Sequence, residues 1–171
     1  MDLKRDAVEI MEKAIKRCQP DEAVRRALAG RDFSGGRLIL IAIGKAAWPM
    51  AKTALALLPV NRGIVITKYG HARGALAPLE VFEAGHPVPD ENGYRATERA
   101  LQMVGNLTAR DHVLLLLSGG GSALFEKPLT TPETLASRTG ALLRSGADIQ
   151  AINAVRKRLS AVKGGRFALL C

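Results

Sequence analysis

The sequence predicts an α/β fold, a mostly parallel sheet covered by helices on both faces, and three observations carry that reading. Short apolar runs at 37–43, 63–67 and 112–117 alternate with stretches of helical period. Two of these runs break on glycine: Ile43 leads into Gly44-Lys45-Ala46-Ala47, and Leu117 into Ser118-Gly119-Gly120-Gly121-Ser122. Finally, 171 residues at 47% hydrophobic content can bury a core without a staple of disulfides or metal.

The elements follow in order. Residues 3–18 carry Ala7, Val8, Ile10, Met11, Ala14 and Ile15 in a helix-period stripe, and a second helix follows Pro20 over 21–28; together they read as a helical cap over 1–30. A sheet domain is expected over 36–147. It opens with the strand at 37–43 and an alanine-rich helix to about Leu58, then a strand at 63–67, a shorter one at 79–82, and a helix over 92–104. The run 113–117 is apolar at every position, the pattern of a strand buried on both faces. Thr131 is placed to cap a helix that has Pro132 in its first turn and Gly146 as its stop. Asp148 caps a last helix, expected to run to Val162 within an exit segment over 148–171. The stretch 163–171 then begins a new apolar segment and ends without a polar close. That end is expected to reflect truncation; the alternative is a terminal element docked on its own core.

The net charge is +9, but its distribution argues against a nucleic-acid partner. Between Asp32 and Glu80 there is no acid, and none follows Asp148, so the cations concentrate in the segments that hold the glycine turns. Only 4% of residues are aromatic, too few for base stacking along a strand. A small, highly anionic substrate held among loops fits better, unless the acidic complement lies in another part of a longer protein. No apolar run is long enough to span a bilayer, and acids interrupt what would be a signal peptide's basic region; a cytoplasmic setting is expected. Cys18 and Cys171 have neither metal-ligand spacing nor the numbers for a disulfide framework, and Cys18 reads as a small apolar filler.

Ser118 to Ser122 is the leading candidate for anion binding. Bare glycine backbone lets N–H groups approach a phosphate, most readily where a helix begins. It is neither a Walker A loop nor a Gly-x-Gly-x-x-Gly fingerprint. Lys45, where a strand yields to a helix, would project into the crevice at the carboxyl edge of the sheet and meet phosphoryl oxygens there; otherwise it is a solvated first-turn lysine. Gly85-His86-Pro87-Val88-Pro89-Asp90 is a rigid loop that delivers His86 and Asp90, or else only a stiff turn. Asn153, Arg156 and Lys157 share a helix face, solvated or ligand-facing, with Lys163 just behind. No cluster has zinc spacing, and no Ser, His and Asp arrangement makes a triad.

These motifs, in this order, resemble those of the glycerate 2-kinase family: Ala42 to Ala47 with Met50-Ala51, Gly85 to Glu91, Leu117 to Leu124, and Asn153 to Lys157 with Leu159-Ser160 and Lys163 to Gly165. Some relatives carry the label hydroxypyruvate reductase. The resemblance runs from about Gly36 to Ala168 and covers the amino-terminal portion of a family protein, whose second α/β domain would lie beyond. One departure is Arg158, where the family commonly has histidine. The resemblance implies a Rossmann-like three-layer sandwich and ATP-dependent phosphorylation of D-glycerate to 2-phosphoglycerate, with Mg2+ bridging the nucleotide phosphates. It implies Lys45 as the catalytic lysine, Ser118, Gly119, Gly120, Gly121 and Ser122 around the nucleotide phosphates, and His86, Asp90, Asn153, Arg156, Lys157 and Lys163 around the substrate. No membrane or nucleic-acid partner is implied, and a homo-oligomer is allowed. Two other readings stay open: a hydroxypyruvate reductase, and a phosphate- or sugar-phosphate-binding module without turnover.

Overall fold

The computed structural model describes residues 2–171. In chain order the elements are α1 (Leu3–Arg17), α2 (Pro20–Leu28), β1 (Leu38–Ile43), α3 (Ala47–Leu57), β2 (Arg62–Lys68), β3 (Leu79–Ala84), α4 (Glu91–Val104), β4 (His112–Leu117), α5 (Gly121–Leu124), α6 (Pro132–Arg144) and α7 (Ile149–Arg158), with a last 3-10 turn at Ala168–Leu170. The four strands form one parallel sheet in the order β3-β2-β1-β4.

β1 lies second from one edge and all six of its residues are buried. Its side chains alternate between two cores, as a pleated strand requires. Ile39, Ile41 and Ile43 join Ile64, Ile66 and the α4 residues Ala96, Ala100 and Met103. Leu40 and Ala42 join Val65, Val24 and Leu28 of α2, and Ala47, Trp48, Ala51 and Ala54 of α3. Alanine at the facing positions lets each helix lie close to the sheet. The three layers are therefore helices, parallel sheet, helices.

Several expectations change. β4 is not buried on both faces: it is the sheet edge, and Leu115 and Leu117 are 45% and 62% exposed. An apolar run tells how a strand is composed, whereas its neighbours decide whether both faces are covered. The helical cap is α2 alone, since no residue of α1 is buried. Cys18 is exposed rather than filling a gap. β3 continues to Ala84. α7 stops at Arg158, short of Val162, because the chain beyond it pairs with the segment after α5: the Leu129 amide donates to the Leu159 carbonyl and the Ala161 amide to the Lys127 carbonyl, both at 2.8 Å. Of the apolar stretch at the end, Phe167 is buried edge-to-face on Phe125, while Leu169 and Leu170 are exposed.

Candidate functional site

β2 and β3 lie on one side of β1 and β4 on the other, so the connections leaving β1 and β4 diverge at neighbouring carboxyl ends, with Ile43 beside Leu117. Open parallel sheets bind ligands at such a switch point. Here two glycine turns meet. Gly44 has φ +117, and a Cβ on it would stand 2.3 Å from Ser118 Oγ and 2.6 Å from Ser118 O, so only glycine allows the approach. The Ser118 amide donates to Ile43 O at 2.9 Å, its hydroxyl accepts from the Ala46 amide at 3.0 Å, and the Lys45 amide donates to Gly119 O at 2.8 Å. The Ser118 side chain thus fastens the two turns together rather than reaching outward.

That fastening fixes Lys45 over the glycine loop. A Cβ on Gly120, whose φ is +95, would lie 3.0 Å from His86 Cδ2 and 3.4 Å from Lys45 Cε. Lys45 and His86, which lie far apart in the sequence, therefore converge on one glycine. Among the described residues, the amides of Gly119, Gly120 and Ser122 have no protein acceptor, the Gly121 amide makes only a long 3.4 Å bond to Ser118 O, and Lys45 forms no ion pair. Free backbone donors beside an exposed ammonium are an arrangement able to accept an anion. Sequence reasoning missed His71, whose Nδ1 lies 3.0 Å from the Lys45 carbonyl oxygen and helps hold that turn. No motif marks it, because it comes from the loop after β2.

A cleft of about 520 Å³ extends from this loop to α7. Asn153, Arg156 and Lys157 line it with Ser118, Gly120, Gly121 and Ser122, while Ile43, Phe125 and Phe167 are among its apolar walls. Arg156 Nη2 lies 3.4 Å from Ser122 O, which leaves the guanidinium largely uncommitted at the loop.

Two predicted ligand residues are engaged elsewhere. Lys163 lines the cleft, but its Nζ donates to Glu126 Oε2 at 2.5 Å and to Phe125 O at 3.0 Å. Burial pushes its ammonium pKa down, and the Glu126 carboxylate only partly opposes this. Lys163 is a pillar between the loop and the chain after α7. Asp90 caps α4: Oδ1 accepts from the Gly93 amide at 3.0 Å and Oδ2 from the Tyr69 hydroxyl at 2.7 Å. Burial pushes its carboxyl up, and the Gly93 and Gly85 amides with Tyr69 outweigh that and leave it lowered. Asp90 therefore anchors the loop that carries His86, since an acid at a helix N-cap satisfies otherwise orphaned amides. Glu126, buried beside Lys163, was not expected from sequence at all. Among the described residues there is no group of three or more His, Cys, Asp or Glu placed to hold a metal ion.

Residues 6–171 match the family described as a domain of unknown function, DUF4147. The chain is 52% identical over 170 residues to a D-glycerate 2-kinase of Thermotoga maritima, covering 97% of this chain and 40% of that protein. A protein of Agrobacterium vitis carrying a hydroxypyruvate reductase name is 43% identical over 164 residues, covering 93% of this chain and 36% of the relative. The crystal structure of a glycerate kinase from Thermotoga maritima superposes with a TM-score of 0.91 at 51% identity, over 98% of this chain and 41% of that one. The chain thus spans about two fifths of the length of the curated relatives it matches.

Proposed function

The chain belongs to the DUF4147 family, and from that premise we propose that it carries the phosphoryl-transfer portion of a D-glycerate 2-kinase. The observation that carries this reading is the convergence of Lys45 and His86 over Gly120, beside backbone amides without protein acceptors. Phosphoryl transfer needs little covalent help from a protein; positioning and positive charge do most of the work. The amides of Gly119, Gly120 and Ser122 would hold the ATP phosphates, with Lys45 Nζ neutralising charge on the group in flight. The phosphorus–oxygen bond to ADP breaks as the glycerate 2-hydroxyl oxygen attacks, ADP leaves with the bonding electron pair, and the hydroxyl proton passes to solvent water. His86, Asn153, Arg156 and Lys157 would orient the acceptor. Lys163 and Asp90 act one step back, by holding the loop and the His86 turn. Mg2+ is expected on the nucleotide phosphates, and no side chain of this chain is assigned to it.

The reductase reading, favoured by the relative's name, lacks the spaced-glycine fingerprint of a dinucleotide fold. A binding module without turnover would keep the amides but not depend on Lys45 for rate. No helix among the described residues is long and apolar enough to cross a membrane; a cytoplasmic setting is part of the proposal. The test uses the full-length protein with ATP and D-glycerate, and the product is identified by phosphorus NMR. Lys45→Ala is expected to lower kcat by about a hundredfold or more with little change in KM, because a charge aimed at the transferring group acts mainly on the transition state. Equal rates for the two proteins, or hydride transfer to hydroxypyruvate in place of phosphorylation, would reject the reading.

A further inference from the structure

On the other side of Arg156 lies a second cavity, of about 500 Å³. Arg156 lines both spaces. The walls of the second are apolar, formed by Val88 and Pro89 of the His86 loop, Leu135 of α6 and Ile152 of α7, and Tyr94 of α4 adds an aromatic ring. Glu126 also lines it. This side chain is 1% exposed; its Oε2 is held by Lys163, while Oε1 is buried with no hydrogen-bond partner. A buried acceptor without a donor is costly and uncommon in native proteins, so a donor supplied by a bound molecule would account for it. Tyr94 and Glu126 line the same cavity, where burial first and then the Glu126 charge push the Tyr94 phenol up.

We propose that this cavity binds the aminated heteroaromatic base of the nucleotide, with Glu126 Oε1 accepting from its exocyclic amine and Arg156 bridging toward phosphates at Gly119 to Ser122. This rests on the kinase reading and adds where the nucleotide's base lies. The volume and the mostly apolar lining suit a flat ring that stacks, with a few polar groups to orient it. A three-carbon hydroxy acid is polar on nearly every atom and would leave Val88, Leu135 and Ile152 uncovered. The carboxylate also discriminates: a ring with an amine donates to Glu126, whereas one with a keto oxygen at that position sets acceptor against acceptor.

The 171-residue chain, with folding checked by circular dichroism, is titrated calorimetrically with adenosine, inosine and tripolyphosphate. Adenosine is expected to bind at least about tenfold tighter than inosine. Gly140 of α6 lines the cavity, and a Cβ there would meet only the flexible end of Arg144, at 3.2 Å. Gly140→Leu should therefore fill the space without disturbing the fold, weakening adenosine about tenfold or more while leaving tripolyphosphate unchanged. Glu126→Gln should erase most of the preference for adenosine over inosine, since an amide can offer a donor to the keto oxygen. Equal affinity for the two nucleosides, adenosine binding untouched by Gly140→Leu, or no adenosine binding at all would overturn the proposal. If adenosine behaves as expected but tripolyphosphate does not bind, the phosphate-loop reading fails and the base pocket stands; the reverse pattern rejects the pocket and leaves the kinase reading intact.

Discussion

Lys163 and Glu126 form the most buried ion pair among the described residues, with side chains 14% and 1% exposed. Their attraction offsets the cost of taking both charges out of water only while both are present. Lys163→Met should strand the carboxylate and destabilise the fold by about 3 kcal/mol in urea denaturation, whereas adding Glu126→Gln to it should recover much of the loss. A ligand-binding role for Lys163 would instead lower affinity with stability unchanged. The motif that made Lys163 a ligand candidate was legible in the sequence. Its partner was not, because Glu126 lies 37 residues away and a lone acid in a chain gives no sign of being buried.

At the scale of elements, the entries of β1 and β4 are tied by a different pair. The Asp111 carboxylate accepts from the Arg37 amide at 2.9 Å, the Arg37 guanidinium and the Thr108 amide at 2.8 Å. The Arg37 guanidinium above all, then the Thr108 and Arg37 amides, hold its carboxyl far below the usual carboxylate range. A carboxyl depressed on folding contributes stability above its unfolded value of about 3.9, and the contribution is lost as pH falls through that value toward the lower folded one. The melting temperature should therefore fall on acidification from about pH 5 to pH 3. Asp111→Asn should melt lower at pH 7 and lose part of that pH dependence; an unchanged melting profile would show that the tie contributes nothing. The strands themselves were readable from their apolar runs. The exposure of Leu115 and Leu117 was not, because it depends on whether a helix covers that face of β4, and here the face opens into the cleft that both leucines line.

Across the whole molecule the net charge is +9. Exposed Lys45 and Lys157 and half-buried Arg156 gather around the glycine loop and its cleft, so their local field favours anions at the same place as the free donors. Affinity of the chain for tripolyphosphate should fall several-fold between about 0.05 and 0.3 M NaCl, since the screening length drops below about 10 Å above 0.1 M. A salt-independent affinity would mean that the amides alone carry the binding and that the surrounding cations do not contribute.

Periodicity and glycine placement determined the alternation of strands and helices, the parallel sheet, and the loop at Gly119 to Gly121, because these depend on local conformation and on which side chains avoid water. The ordered motifs identified the family. Only the tertiary structure decided which polar groups are free. It spent Ser118 on Ala46, Asp90 on Gly93 and Tyr69, and Lys163 on Glu126, and among the described residues it left the Lys45 ammonium without an ion pair and the amides of Gly119, Gly120 and Ser122 without an acceptor. Every one of those residues looks equally available as a letter. Hydrogen-bonding capacity belongs to the side chain, but whether it is already used is settled by partners brought near through folding.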